Sequence, residues 1–169
     1  MRIGGYRSTM WRVGILSCSD RGSRGEREDK SKDLIAKIVA DAFKGKVTTY
    51  HCVPDEIEVI KETLFEMIDH EGVDVIITTG GTGLSPRDVT PEATLQVVDR
   101  IIPGFAEEMR RKASAVTRKA LFTRAVVGTR KTTLIINLPG SPDAAELCLN
   151  AIIDQVEAAL ILLQGKKGV

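Results

Sequence analysis

The chain has 169 residues, 43% of them hydrophobic and 28% charged, with a formal net charge of +1. This length predicts one domain with a sizeable core, and a near-neutral balance gives no electrostatic case for a nucleic-acid or membrane partner. Aromatic residues are only 4%, too few for a platform that stacks single-stranded bases.

Residues 1–11 read as a loosely held arm. Its apolar content is too low for a signal peptide, and no stretch reaches the roughly 18 apolar residues of a membrane span. A cytoplasmic protein is expected. Arg12 to Ser19, RVGILSCS, reads as a first strand, followed by a polar loop from Gly22 to Asp29. Apolar Leu34, Ile35, Ile38, Val39 and Ala42 recur at helical spacing, so Asp33 to Phe43 predicts a helix ended by Gly45. Val47 to Val53 is a second strand, and Pro54-Asp55-Glu56 opens a helix with Ile57, Ile60, Leu64 and Ile68 as its inner stripe. A third strand, Val73 to Thr79, is short and β-branched. Helices are predicted over Pro91 to Asp99 and Phe105 to Ala115, broken between them by Pro103-Gly104. Lys131 to Leu138 is a strongly β-type run, Ala125-Val126-Val127 before Gly128-Thr129-Arg130 suggests its hairpin partner, and Asp143 to Leu163 a long last helix. Strands alternating with helices predict an α/β three-layer sandwich with a mostly parallel central sheet, residues 1–169 forming one domain.

Cys18, Cys52 and Cys148 include no C-x-x-C pair, and the first and second lie in apolar strand-like runs. Those two read as buried thiols of a reducing compartment. His51 and His70 lack zinc-ligand spacing. The basic group Arg110, Arg111, Lys112, Arg118 and Lys119 reads as a solvated helix face.

The third strand runs into TTGGTGLSPRDVTPEAT, Thr78 to Thr94. Gly80, Gly81, Thr82 and Gly83 permit backbone N–H groups to approach a ligand closely, and the helix that follows supplies a positive end. Asp88 offers a hard oxygen for Mg²⁺ and Arg87 a cation for phosphate. The spacing fits neither the Walker A loop nor the dinucleotide fingerprint.

In a parallel α/β sheet, ligands bind beyond the carboxyl ends of the strands. Ser19 and Asp20 follow the first strand, Asp55 the second, Gly80 to Asp88 the third, and Pro139, Gly140 and Ser141 the last. Four separate segments thus bring polar chemistry to one edge. Each has a plain structural alternative as well. Asp55 suits a helix N-cap, Asp20 a turn and Gly140 a bend. Arg87 could brace Glu92, and Thr90 could cap the helix that Pro91 begins.

The segment GGTG-x-x-x-RD-x-TPEAT at Gly80 to Thr94, with NLPGSP at Asn137 to Pro142, resembles the molybdenum-cofactor biosynthesis family. Within it, the likeness is to molybdopterin adenylyltransferases of the MogA type, including gephyrin G domains, and runs from about Arg12 to Leu163. The resemblance implies an enzyme that binds molybdopterin and ATP with Mg²⁺ and forms adenylyl-molybdopterin and pyrophosphate. It implies Asp55 and Asp88 as the essential acidic pair at the metal. It further implies nucleotide or substrate contacts from Ser19, Asp20, Gly80, Gly81, Thr82, Gly83, Arg87, Thr90, Glu92, Pro139, Gly140 and Ser141. A homo-oligomer is implied too, a trimer for isolated domains of the family and a hexamer for some MoaB-like paralogues, with a molybdate-inserting enzyme as partner. The alternatives are such a paralogue, or a module that carries the pterin without chemistry.

Overall fold

The computed structural model describes residues 10–165. Four strands run parallel: β1 (Trp11–Cys18), β2 (Gly45–Val53), β3 (Val75–Thr79) and β6 (Thr133–Leu138). Two short strands, β4 (Arg100–Ile101) and β5 (Val127–Arg130), continue the sheet antiparallel, giving the order β2-β1-β3-β6-β5-β4. The helices are α1 (Asp20–Ser23), α2 (Lys30–Phe43), α3 (Ile57–Asp69), α4 (Thr90–Leu95), α5 (Pro103–Val116) and α6 (Pro142–Leu163), with a 3₁₀ turn over Arg118–Phe122.

Side chains of successive strand residues point to opposite faces of the sheet. Ile15, Ile77 and Ile136 stand in one row across β1, β3 and β6 and pack against the buried faces of α2, α5 and α6. Their neighbours Leu16, Ile76 and Ile135 face the other way, onto Ile60, Leu64 and Met67 of α3 and Ala93 of α4. Burial on both faces is why these strands read as unbroken apolar runs rather than alternating ones. The expected three layers and mostly parallel sheet are present. No helix among the described residues is long and apolar enough to cross a membrane.

Several boundaries differ from expectation. Residues 1–9 of the expected arm lie outside the described residues. Trp11 already belongs to β1, is 3% exposed, and its indole N–H donates to Glu157 at 3.1 Å. Lys44, not Gly45, takes the left-handed turn that ends α2, at φ 57°, and Gly45 begins β2. Helix α4 stops at Leu95, because the chain then pairs Arg100 and Ile101 with β5. Pro103 and Gly104 sit in the first turn of α5, where a proline lacks nothing, its missing N–H having no helical partner there.

The register brings the strand ends level. Ser17 of β1 lies beside Cys52 of β2 and Thr79 of β3, and Thr79 beside Leu138 of β6. The next residues along each strand therefore emerge on one edge. A buried polar centre underlies that edge: Asn137 Nδ2 donates to Thr78 Oγ1 at 3.0 Å and Thr94 Oγ1 at 2.9 Å, and its Oδ1 accepts from Val126 N at 3.1 Å.

Candidate functional site

Beyond the ends of β1, β2, β3 and β6 lies an open cavity of about 500 Å³. Of the residues expected at a site, Ser19, Asp55, Gly80, Gly81, Asp88 and Gly140 line it. The edge predicted from strand order is the edge where they meet.

Asp20 and Asp55 are locked together by paired backbone contacts. Asp20 N–H donates to Asp55 Oδ2, and Asp55 N–H donates to Asp20 Oδ1, each at 3.0 Å. The remaining oxygen of Asp55, Oδ1, is buried and has no partner within the protein. Burial raises the Asp55 carboxyl above its ordinary value, and the charges of Asp20 and Asp88 push the same way. Asp20 moves in the opposite direction, because Arg87 donates to both of its oxygens, at 3.0 and 2.9 Å. Arg87 is thus engaged by Asp20, not by Glu92.

The glycine turn is built on close approach. Gly80 has φ +93° and Gly81 φ +67°. A methyl group on Gly81 would lie 2.3 Å from Thr90 Oγ1 and 3.1 Å from the free Asp55 Oδ1, so a side chain there would fill the space beside that oxygen. A methyl on Gly83 would lie 2.8 Å from Asp88 Oδ2, an oxygen that also accepts from Ser85 N at 3.0 Å.

Other expected residues make bonds within the scaffold. Thr90 is buried in the first turn of α4 and donates to Gly80 O at 2.9 Å. Thr82 is buried and accepts from Thr123 Oγ1 at 3.2 Å. Pro139 O accepts from Thr79 Oγ1 at 3.0 Å, and Ser141 is the N-cap of α6. Glu92 pairs with Arg124. Arg124 also donates to Gly83 O and Asp88 O, and nothing in its local sequence marks it. The cavity wall from Arg27 to Ser31, at the start of α2, is likewise new. It reads in sequence as a flexible polar loop. In the fold, Asp29 caps α2, accepts from Tyr50 Oη at 2.8 Å, and Ser31 Oγ donates to Gly140 O at 3.3 Å.

Cys18 also borders the cavity, but burial pushes its thiol up to about 12, so it is not a nucleophile near neutral pH. His51 is bonded to Glu71 at 2.7 Å, at the edge strand β2. Among the described residues no cluster of three or more His, Cys, Asp or Glu side chains is set to hold a metal alone. The donors on the cavity wall are carboxylate oxygens, one of them free, which suits a hard cation completing its shell with water and substrate phosphate.

Comparison with known proteins identifies the family. A family model described as a probable molybdopterin binding domain matches residues 14–158. The chain is 38% identical over 154 residues to a molybdopterin adenylyltransferase of Helicobacter pylori, covering 90% of this chain and 88% of that one. It is 39% identical over 144 residues to the molybdopterin adenylyltransferase of Escherichia coli, covering 85% and 74%. The crystal structure of the molybdopterin biosynthesis enzyme MoaB of Thermus thermophilus superposes with a TM-score of 0.87 at 48% identity, covering 93% and 98%. The chain belongs to the family of molybdopterin binding domains.

Proposed function

We propose that this protein adenylylates molybdopterin: it takes ATP with Mg²⁺ and forms adenylyl-molybdopterin and pyrophosphate, a step in molybdenum-cofactor biosynthesis. Relatives named for that activity support the reading across 85–90% of the chain. The observation that carries it is the buried, unpartnered Asp55 Oδ1 in a cavity that also holds Asp88 and the glycine turn.

The terminal phosphate of the pterin attacks the α-phosphorus of ATP, a new P–O bond forms, and the bond to the β-phosphate oxygen breaks. The attacking group is already an anion, so no strong general base is needed. The work is positioning and charge neutralisation. When bound, Mg²⁺ would neutralise phosphate charge. Asp55 and Asp88 would hold it, with Asp20 N–H fixing the orientation of Asp55. Gly80, Gly81 and Gly140 leave room for phosphate and nucleotide against bare backbone, with Ser19 and Ser141 beside them. Arg87, paired with Asp20, would supply a cation for an incoming phosphate.

The same reading includes a cytoplasmic homo-oligomer, a trimer or hexamer, that hands its product to a molybdate-inserting enzyme. The 48% identity to a MoaB structure favours a MoaB-like paralogue as a second reading, and the rival of another class is a module that holds the pterin without transfer.

Pyrophosphate release from Mg-ATP, with and without molybdopterin, separates the two. Pterin-dependent release establishes the transferase. Pterin binding without release establishes the carrier, and no pterin binding refutes both.

A further inference from the structure

The geometry points to Arg124 as the residue that sets the glycine turn and so aims the Asp88 carboxylate. Its backbone N–H donates to Thr82 O at 2.8 Å. Its Nε donates to Gly83 O and its Nη2 to Asp88 O, both at 2.8 Å, while Nη1 pairs with Glu92. One planar guanidinium therefore closes both ends of the segment between Gly83 and Asp88. Within that segment Ser85 N–H donates to Asp88 Oδ2, and Asp88 N–H to Ser85 O at 2.9 Å. The turn is tied from inside by Asp88 and from outside by Arg124.

Arg124 does not line the cavity and is not offered as a catalytic residue. It is a positioning residue, acting through Asp88. Three acceptors in three directions need the fixed fork of a guanidinium, and a lysine ammonium on a flexible stem cannot meet all of them at once. Glu92 balances its charge, which explains why a carboxylate follows the Thr-Pro of α4. Thr123, the residue before it, adds its own bond to Thr82, so the tie runs through two consecutive residues. The effect on turnover rests on the adenylyl-transfer reading, whereas the effect on the turn does not.

Two measurements on full-length Arg124→Lys test this. In hydrogen–deuterium exchange the Ser85 and Asp88 amides should exchange about tenfold faster, with the β3 amides unchanged, since a charge-assisted tie to the turn is lost. In steady state, kcat should fall on the order of 10²-fold, as expected for a carboxylate displaced by about 1 Å, with KM for molybdopterin within about twofold. The Mg²⁺ concentration giving half-maximal rate should rise. Unchanged exchange at Ser85 and Asp88 overturns the proposal, and equally raised exchange throughout β3 reduces Arg124 to a general structural role. Should Arg124→Lys fail to fold, Glu92→Gln keeps the guanidinium but removes its charged partner, and the same two amides should speed up a few-fold; wild-type exchange there also overturns it. An inactive wild-type enzyme would refute the adenylyl-transfer reading alone, leaving exchange to decide the role of Arg124.

Discussion

Gly80→Ala is the sharpest single perturbation of the fold at this site. Gly80 sits at φ +93°, its N–H donates to Leu138 O at 3.0 Å, and its carbonyl accepts from Thr90. A methyl group there would lie 2.4 Å from the carbonyl oxygen of Cys18, a strand backbone atom that cannot swing aside. Left-handed backbone costs an alanine about 1–2 kcal/mol, and forcing apart packed backbone about 1–3 kcal/mol more. The total is about 2–5 kcal/mol. At about 2–4 °C per kcal/mol for a chain of this size, Tm should fall by roughly 4–20 °C in a calorimetric or circular-dichroism melt. Gly25→Ala is the matched control: φ is +72°, yet a methyl there meets nothing within 4 Å. It carries the backbone cost without the collision. If Gly80→Ala melts within about 2 °C of Gly25→Ala, the collision with Cys18 O is not what requires glycine.

Asp88→Asn should keep its fold and bind molybdopterin while pyrophosphate release drops on the order of 10²–10³-fold; full turnover would remove Asp88 from the mechanism. Asp55→Asn should also lose release yet gain thermal stability, because burial holds the wild-type carboxyl above its ordinary value of 3.8. A carboxyl raised by folding stabilises the native state only while protonated, and that contribution fades as pH climbs from 3.8 through the raised value. The Tm advantage of Asp55→Asn should therefore be larger at about pH 7 than at about pH 4, and a constant or shrinking difference would contradict the assignment. Asn137→Ala should lower the urea-derived stability by about 2–4 kcal/mol, since it leaves a cavity and strands the Val126 N–H in the core, while Thr78 loses its donor and Thr94 keeps only its bond to Thr90 O; a loss under about 0.5 kcal/mol would show that this centre is not needed.

What the sequence made legible followed from regular patterns. Runs ending in Ser19, Val53, Thr79 and Leu138 marked strands, and what came after each marked the edge where Asp55, Gly80, Asp88 and Gly140 meet. Short elements escaped because their cause is tertiary. Two residues, Arg100 and Ile101, are a strand only because β5 is beside them. Lys44 accepts a left-handed turn one residue before the glycine that seemed made for it, because Gly45 is held in β2, where a side chain would strike Phe43 and Val13. The hidden residues of the site share that origin. Arg124 gains its role from acceptors some forty residues upstream, and Asp29 from Tyr50 across the fold. Thr90 and Glu92 share a motif with Asp88, and their bonds to Gly80 O and to Arg124 are ones the motif does not announce.

The placement of β6 has a temporal consequence. It lies beside β3 although Thr79 and its partner Pro139 are 60 positions apart, and α4, α5 and the β4–β5 ribbon are all made in between. During synthesis the chain therefore exposes one bare edge of β3, with the Gly80 N–H lacking its strand partner, until β6 has been made. Pairings of such separation form slowly. Gly140 and Pro142 line the pocket, so a fragment that ends before them lacks that wall, and a ligand that fills the whole pocket is, by mass action, a reason for the finished sheet to persist.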